Sequence, residues 1–414
     1  CGTSNPTFDY KASSLRYSVL RTGTGDLDLV SGGDLRMDSL YGVYTAGMSS
    51  VATATGDPYN LPRARNLDGT VLSNPDGAHE RLVDGGADSV YRAWYPDHGG
   101  NLLLQVSGDL SGSLVGASAA TNGRPVRTDG PGDSVAVGNW LWRQGSGGVA
   151  TGGPAQPTAW WINFGSYVGR DSLADTVLGF TGFGTLGGGN VRADVAGDAG
   201  ALAPKVATVF NTNINPRSQG LLLAVGSTGR VLADGSLQLT GGGDLDLRVG
   251  GALNPAGQAN AGHLNGALAD LRGHVEVAAA QLGKVALQYG TRATDHVPLE
   301  TRAFDAFRAT RAMPQGGMTL VPGDATFNVA TLGDQVLQDV ADPGRVPMFN
   351  AASYTSAEGE PGAGYSWFSL WTPRTALDLF SAGGNMTPLT APVDRRGWES
   401  KAKKPVRSPD RKQA

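Results

Sequence analysis

The sequence is short of cysteine, of histidine motifs and of long apolar runs, and each shortage excludes a class of protein. Cys1 is the single cysteine, which excludes intramolecular disulfides and cysteine-rich zinc sites. The five histidines show neither His-x-His nor His-Glu-x-x-His spacing, and P-loop and Rossmann motifs are missing, so no metal or other cofactor is expected. No run reaches the roughly 18 apolar residues of a membrane-spanning helix. The strongest run, at 221–225, has the length of a strand.

Charge is scarce and unevenly distributed. Charged residues make up 17% of the chain and apolar residues 40%, which predicts a folded protein rather than a disordered one. The net charge is −4, yet residues 395–414 hold eight basic and two acidic side chains and carry +6, which leaves −10 for residues 1–394. We therefore expect 391–414 to be a disordered basic tail. It has no aromatic platform beyond Trp398, so no nucleic-acid partner is expected.

Glycine is what the chain has in excess, with 62 of 414 residues, about twice the average share of roughly 7%. It does not recur at every third position, which excludes collagen. Instead, a phrase with two glycine-plus-polar corners eight residues apart returns along the chain. Its copies are GDLDLVSGGDL from Gly25, GNLLLQVSGDL from Gly100, GNVRADVAGD from Gly189, GSLQLTGG from Gly235 and GDLDLRVGGAL from Gly243, with looser copies from Gly273 and Thr319.

Apolar and polar residues alternate within each phrase, which predicts half-buried strands. Leu27 and Leu29 share one face, and Asp26 and Asp28 share the other. One coil cannot bury its apolar row alone, but coils stacked about 4.8 Å apart place Leu on Leu. We predict an all-β fold, a right-handed parallel β-helix (solenoid) of at most about 20 coils, with loop and hairpin insertions. A β-sandwich or barrel is the alternative.

The irregular spacing of the phrases predicts a shaft that is interrupted by insertions. We divide the chain into a lead-in at 1–20, a β-helical shaft at 21–390 and the basic tail at 391–414. The run 267–283 has a helix-like composition, but its alternation favours a strand, and a short helix or turn is expected at 302–312.

An aromatic-rich insertion is expected at about 139–170. Six large aromatic residues fall within 28 residues there, around a loop rich in Gly, Ser and Pro: Trp140, Trp142, Trp160, Trp161, Phe164 and Tyr167. An exposed row would stack on sugar rings, with Trp140, Trp142, Trp160 and Trp161 as the glycan contacts. A buried row would anchor a packed hairpin on the shaft, which is the reading that two aromatic-rich strands around a flexible loop favour.

Two carboxylate pairs raise the question of catalysis. Asp26 with Asp28, and Asp244 with Asp246, lie on the outward face of their strands, where some β-helical polysaccharide lyases and hydrolases hold acidic residues. Such sites also need a basic partner and a substrate groove, and no histidine-bearing phrase accompanies these aspartates. Solvated strand faces are therefore favoured, and no enzymatic activity is expected. A β-helical carbohydrate-binding or carbohydrate-active protein is the alternative.

Several motifs, in order along residues 15–390, resemble the C-terminal region of the filamentous haemagglutinin family of large secreted exoproteins. They are RTGTGDLDLVSGGDLRM, GVYTAG (42–47), NWLWRQG (139–145), AWWINF (159–164), LGGGNV (186–191) and LWTPRTALDLFSAGGNMTP (370–388). After Pro388 this likeness stops.

The resemblance implies a right-handed β-helical shaft that acts in adhesion or surface display. It also implies secretion to the cell surface, in association with the outer membrane, through an outer-membrane transporter of the two-partner secretion type. Host or neighbouring-cell glycans or receptors are the expected partners. Open β edges would permit self-association, and Cys1 is either a lipid-carrying residue or a fragment boundary.

Overall fold

The secondary structure of the chain is all-β. The computed structural model describes residues 19–37, 42–52, 94–112, 137, 140–144, 158–162, 164, 167–170, 175–178, 180–200, 220–255, 266–289, 310–344 and 368–388. These residues form 25 strands and no α-helix, which confirms the all-β expectation. Among them there is no helix with the length and apolarity needed to cross a membrane.

Most strands are short, as expected where glycine corners end them, while β19 and β22 continue through a corner. In chain order the strands are β1 (Leu20–Thr22), β2 (Leu27–Ser31), β3 (Leu35–Arg36), β4 (Val43–Thr45), β5 (Met48–Ala52), β6 (Trp94–Asp97), β7 (Leu102–Val106), β8 (Leu110–Ser111), β9 (Leu141–Gln144), β10 (Ala159–Ile162), β11 (Tyr167–Arg170), β12 (Asp175–Leu178), β13 (Phe183–Thr185), β14 (Val191–Val195), β15 (Leu222–Val225), β16 (Ser227–Val231), β17 (Leu237–Gly241), β18 (Leu245–Leu253), β19 (Gly266–Leu282), β20 (Lys284–Tyr289), β21 (Thr310–Gln315), β22 (Met318–Thr331), β23 (Gln335–Val340), β24 (Ala376–Ser381) and β25 (Met386–Pro388).

The parallel strands form three columns. Column 1 contains β1, β4, β13, β15, the first parts of β19 and β22, and the end of β23. Column 2 contains β2, β7, β14, β18, the second parts of β19 and β22, and β24. Column 3 joins β3 and β8, through bridges at Ala199, to the ends of β18 and β19, the start of β23, and β25. The described chain passes through columns 1, 2 and 3 in this order seven times, and each pass is called a rung below. This arrangement is compatible with a β-helix or solenoid.

The inner face of column 2 is a continuous apolar core. One row consists of Leu27, Leu102, Val191, Leu245, Val275, Phe327 and Leu377. A second row consists of Leu29, Leu104, Ala193, Leu247, Val277, Val329 and Leu379. In rungs 2 to 6 these side chains are at most 1% exposed. Each buried Leu or Val contributes about 1.5–3 kcal/mol, so the stacking itself is the main source of stability.

Glycine is required at the corner before column 2 because successive backbones touch there. Gly25, Gly100, Gly189, Gly243 and Gly273 follow one another at this corner. A Cβ on Gly100 would lie 2.2 Å from the carbonyl oxygen of Gly25, and a Cβ on Gly273 would lie 1.8 Å from that of Gly243. Any side chain at the inner positions of this stack would therefore separate the rungs.

The polar residue after each corner glycine forms a hydrogen-bonded ladder, called the column-2 ladder. The Oδ1 of Asp26 accepts the N–H of Asn101 at 2.7 Å, and the Oδ1 of Asn101 accepts that of Asn190 at 2.9 Å. The Oδ1 of Asn190 accepts the N–H of Asp244 at 2.9 Å, and the Oδ1 of Asp244 accepts that of His274 at 3.1 Å. Corner N–H groups that would lack a strand partner are thus paired.

A second ladder, the column-3 ladder, follows the same rule at the next corner. The Oδ1 of Asp34 accepts the N–H of Asp109 at 2.9 Å, and the Oδ1 of Asp109 accepts that of Asp198 at 2.8 Å. Asp198 in turn accepts the N–H of Ala252 at 2.7 Å. In each case the side chain of one rung accepts from the backbone of the next, so the ladder has a direction along the stack.

Column 1 is buried on both faces, unlike column 2. The strands β17, β16, β10 and β9 form an antiparallel sheet in that order. Leu141 and Trp160 of this sheet belong to one buried cluster with Tyr44, Leu222 and Ala224 of column 1. Burial on both faces explains why β15 has an uninterrupted apolar sequence instead of an alternating one.

The phrase from Gly235 is not a step of the stack, which corrects the sequence prediction. Residues 237–241 form β17, which pairs antiparallel with β16 in the inserted sheet. The turn between the two strands has Gly235 at φ +82°, and the Oδ1 of Asp234 accepts the N–H of Ser236 at 2.8 Å. An Asp-Gly turn between apolar runs is a strong hairpin signal, and it outweighs the likeness to the repeat.

Other expectations have different outcomes. The run from Ala267 is in strand β19, as expected. Of the helix or turn expected at 302–312, residues 302–309 lie outside the described part, and 310–312 belong to strand β21. The described residues form seven rungs, well within the expected maximum of about 20 coils. At about 4.8 Å per rung the seven rungs span roughly 29 Å.

We predict unequal effects on stability for two glycine-to-alanine changes in the same motif. Gly100→Ala should lower the free energy of unfolding by about 1–3 kcal/mol or more, because its Cβ overlaps the backbone of rung 1. Gly25→Ala is the matched control, since nothing lies within 4 Å of its Cβ, and it should change stability by less than about 1 kcal/mol. Urea unfolding followed by circular dichroism measures both. Equal effects would contradict the close contact between rungs.

Candidate binding surface

The outer face of column 2 is the candidate binding surface, because two rows of its side chains point away from the core. The first row consists of Asp28, Leu103, Arg192, Asp246, Glu276, Asn328 and Asp378, and the second of Val30, Gln105, Asp194, Arg248, Ala278, Ala330 and Phe380. Strand alternation places both rows outward, since their neighbours fill the core. The surface spans all seven rungs.

Ion pairs occupy the middle of this surface. The Nε of Arg192 lies 2.9 Å from a carboxylate oxygen of Asp194, and the Nε of Arg248 lies 3.4 Å from that of Asp246. Each pair joins residues two apart on one strand, where side chains share a face. Such exposed pairs contribute little to stability. They leave both charges accessible to a polar ligand.

A groove of about 680 Å³ runs along the second row at the carboxyl ends of the column-2 strands. Its floor is low because several rungs carry alanine there, including Ala278, Ala280 and Ala330. Leu332 and Phe380 rise beside it and are 72% and 61% exposed. Its lining also includes Gln105, Asp194 and Arg248. The groove therefore has an apolar end at Leu332 and Phe380 and a charged end at Asp194 and Arg248.

Sequence reasoning did not identify this groove, although a signal for it exists. Alanine stands at the outer positions 278 and 280 in the run VAAAQ and at the outer position 330 in the run NVATL of the next rung. A run of small outward residues in successive coils produces a depression, but only when the register between the coils is known.

In each predicted carboxylate pair, the two aspartates make different interactions. Asp26 and Asp244 accept backbone N–H groups in the column-2 ladder. Asp246 is paired with Arg248, and Asp28 is exposed at the first rung. Asp194 is the one acidic residue of the groove lining. The structure therefore separates the two members of each predicted pair.

The aromatic cluster is a packed hairpin. The strands β9 and β10 pair antiparallel, with Trp142 opposite Trp161. Trp140, Trp160 and Trp161 are 0%, 5% and 2% exposed, so their rings are not available to stack on sugars. The glycan contacts at these three residues are corrected accordingly: Trp140 and Trp160 pack in the buried cluster on the outer face of column 1, and Trp161 lies beside the ring of Tyr95. The side chain of Trp142 lies outside the described part.

Within the described ranges no group of three or more His, Cys, Asp and Glu side chains could hold a metal ion. Cys1, most of the lead-in at 1–20 and the basic tail at 391–414 lie outside the described residues.

Asp270 is a buried acid in column 1 and the most perturbed titratable group described. It is fully buried, and burial raises the pKa of its carboxyl well above 3.8, with repulsion from Asp244 and Asp324 adding to the effect. Its Oδ1 accepts the N–H of Arg272 at 2.9 Å, whereas its Oδ2 has no hydrogen-bond partner. Asp270 is enclosed by its rung neighbours and does not line the groove.

Asp270 continues a row of column 1 that holds threonine in rungs 1 to 3 and Val225 in rung 4. Thr45 donates to the carbonyl of Gly100, and Thr185 donates to that of Gly189, both at 2.6 Å. The Oδ2 of Asp270 makes no such hydrogen bond.

The chain has no matching family model, and no curated protein or solved structure matches it.

We predict that Asp270 makes the protein less stable as the pH rises. Its pKa is higher in the folded state than in the unfolded state, so its stabilising contribution is complete below about pH 4 and is lost as the pH rises toward the folded pKa. Asp270→Asn should remove this loss, because the amide has nearly the same shape and does not ionise. Urea unfolding at a series of pH values measures the effect.

The control for this prediction is Asp378→Asn, which changes an exposed carboxyl of the same kind. It should keep the wild-type dependence on pH. The account of Asp270 is wrong if Asp270→Asn also keeps it.

Proposed function

We propose that this chain is a right-handed parallel β-helical segment of an exported filamentous haemagglutinin-like exoprotein, and that it mediates surface attachment or display. Three parallel columns visited in a fixed order support the β-helix, as do the two ladders at the corners. The motifs at 139–145 and 370–388 support the family.

The location and the partners follow from the same proposal. The full-length protein would be secreted through an outer-membrane two-partner secretion transporter and would remain at the cell surface. Its ligands would be glycans or receptors on host or neighbouring cells. No enzymatic activity is proposed.

The observation that carries the attachment role is the contrast between columns 1 and 2. The inserted sheet covers the outer face of column 1, whereas the outer face of column 2 is open and contains the groove. Exposed apolar side chains next to accessible charges are typical of recognition surfaces. Phe380 presents a ring for stacking on a sugar, and Arg248 and Gln105 present hydrogen-bond donors.

The test is binding of the purified chain to epithelial cells and to immobilised glycans, with two exposed groove residues changed together. Leu332→Ser with Phe380→Ser should reduce binding at least tenfold, because it removes the apolar side of the groove. Leu237→Ser is the control, since Leu237 is 54% exposed but belongs to the inserted sheet. It should bind as the wild type does.

Two results would contradict the proposal. One is a wild-type chain that binds neither surface, and the other is a groove variant that binds as well as the control. Circular dichroism of each variant shows that the strand content is unchanged.

A further inference from the structure

A row of polar side chains runs beside the groove on the outer face of column 2 and is called the polar row. In rungs 3 to 6 it consists of Arg192, Asp246, Glu276 and Asn328, which are in register on adjacent strands. Because adjacent strands lie about 4.8 Å apart, the row presents one polar group at each such step along the stack. Described rungs lie on both sides of these four, so the polar row is not an end of the stack.

Hydrogen bonds fix the part of the polar row in rungs 5 and 6. The Nδ2 of Asn328 donates to the Oε2 of Glu276 at 3.2 Å. The Nε2 of His274 lies 3.4 Å from the same oxygen, and its Nδ1 pairs with the Oγ1 of Thr326 at 2.7 Å. The side chains of His274 and Glu276 are 44% and 52% exposed, so a ligand can reach the carboxylate and amide oxygens of this network.

Arginines supply hydrogen-bond donors in rungs 3 and 4. Arg192 is paired with Asp194, and Arg248 is paired with Asp246. The two arginine side chains are 58% and 62% exposed, and each guanidinium has more N–H groups than its ion pair uses. The surface therefore offers donors in rungs 3 and 4 and acceptors in rungs 5 and 6.

The groove floor beside the acceptors is small and apolar. Ala278 and Ala330 follow Glu276 and Asn328 by two residues on the same strands, so all four side chains lie on one face. Leu332, two residues beyond Ala330, borders the floor on its other side. A ring with apolar C–H faces and a polar edge fits this arrangement, because its face contacts the alanines while its edge reaches the polar row.

The charge of this surface is nearly balanced, which decides the class of ligand. In rungs 3 to 6 the two outer rows hold two arginines and three carboxylates, with a net charge of −1: Arg192, Arg248, Asp194, Asp246 and Glu276. A sulfated glycan or another polyanion requires an excess of basic side chains, and a basic peptide requires an excess of acidic ones. Neutral hydroxyl groups both donate and accept hydrogen bonds, so they match guanidinium and carboxylate groups on one surface.

We propose that the groove and the polar row bind a neutral linear polysaccharide that lies along the stack. Its sugar rings contact Ala278 and Ala330, and its hydroxyl groups bond to Arg248, Glu276 and Asn328. A linear chain is favoured because the polar groups repeat in one direction instead of surrounding a pocket. This inference rests on the proposed function and names the class of ligand for the same surface.

Isothermal titration calorimetry of the whole chain tests the proposal. The probes are neutral linear hexasaccharides of glucose, of mannose and of galactose, with a heparin hexasaccharide as the polyanion. At least one neutral hexasaccharide should bind at least tenfold more tightly than the heparin fragment. Its affinity should change less than twofold when the salt concentration is raised tenfold, because the ligand forms no ion pair.

The first set of variants fills the groove floor. Ala278→Leu with Ala330→Leu should lower the affinity at least tenfold, because the leucines occupy the space of the sugar rings. Gln238→Leu is the control, since it adds a leucine at an exposed position of the inserted sheet, and it should bind as the wild type does. Circular dichroism shows whether each variant keeps its strand content.

The second set changes the polar row and keeps the test decisive if the leucine variant misfolds. Glu276→Ala removes an acceptor and should lower the affinity at least fivefold. Glu276→Gln keeps a carbonyl acceptor without the charge and should retain most of the affinity. An equal loss in both variants would show that the ligand needs the negative charge, which contradicts a neutral ligand.

Other results would also overturn the inference. They are a chain that binds no neutral hexasaccharide, tighter binding of the heparin fragment, and a floor variant that binds as well as the control. Attachment to epithelial cells that survives periodate oxidation of the cell-surface glycans would indicate a protein receptor; it would overturn the inference and leave the attachment role intact. A chain that binds neither cells nor glycans would contradict the attachment role as well.

Discussion

The close approach of successive rungs at the glycine corners is the constraint on which the rest of the structure depends. At Gly100 and Gly273 the backbones are too close for any side chain, and this distance sets the spacing at which the apolar rows meet. The Asp and Asn side chains that follow the glycines then pair the corner N–H groups. Glycine permits the close contact between backbones, and the Asp or Asn side chain accepts the N–H of the next corner. The two residue types therefore recur together in the sequence.

This constraint also determines where the molecule can interact. Because each inner row is filled by the same kind of residue in every rung, variation between rungs appears on the outside. The outer side chains of column 1 are apolar and form a second core under the inserted sheet. Trp160 and Tyr44 belong to this second core. Column 2 keeps its outer face open, with alanines that form a groove and with Arg248 and Phe380 on its sides. The proposed adhesive role depends on this difference between two columns of one stack.

Much of the stack could be predicted from the sequence because its repeat is local. The eight-residue step between Gly25 and Gly33, with alternating Leu and Asp, specifies two corners and one strand without any knowledge of the partner strands. The groove could not be predicted, since it depends on which coils are neighbours, and long insertions hide that order. The burial of Trp140 is the outcome that the aromatic-rich strands favour. The phrase from Gly235 resembles a step of the stack because a hairpin strand and a coil strand alternate in the same way.

The most direct test of the account is the distance between spin labels placed on one outer row of column 2. In a Cys1→Ser background, pulsed electron paramagnetic resonance would compare labels at 28 and 276 with labels at 28 and 378, each diluted with unlabelled protein. These pairs lie four and six rungs apart, so the account predicts backbone separations of about 19 Å and about 29 Å at roughly 4.8 Å per rung. Equal distances, or a shorter one for the second pair, would contradict the stacked columns.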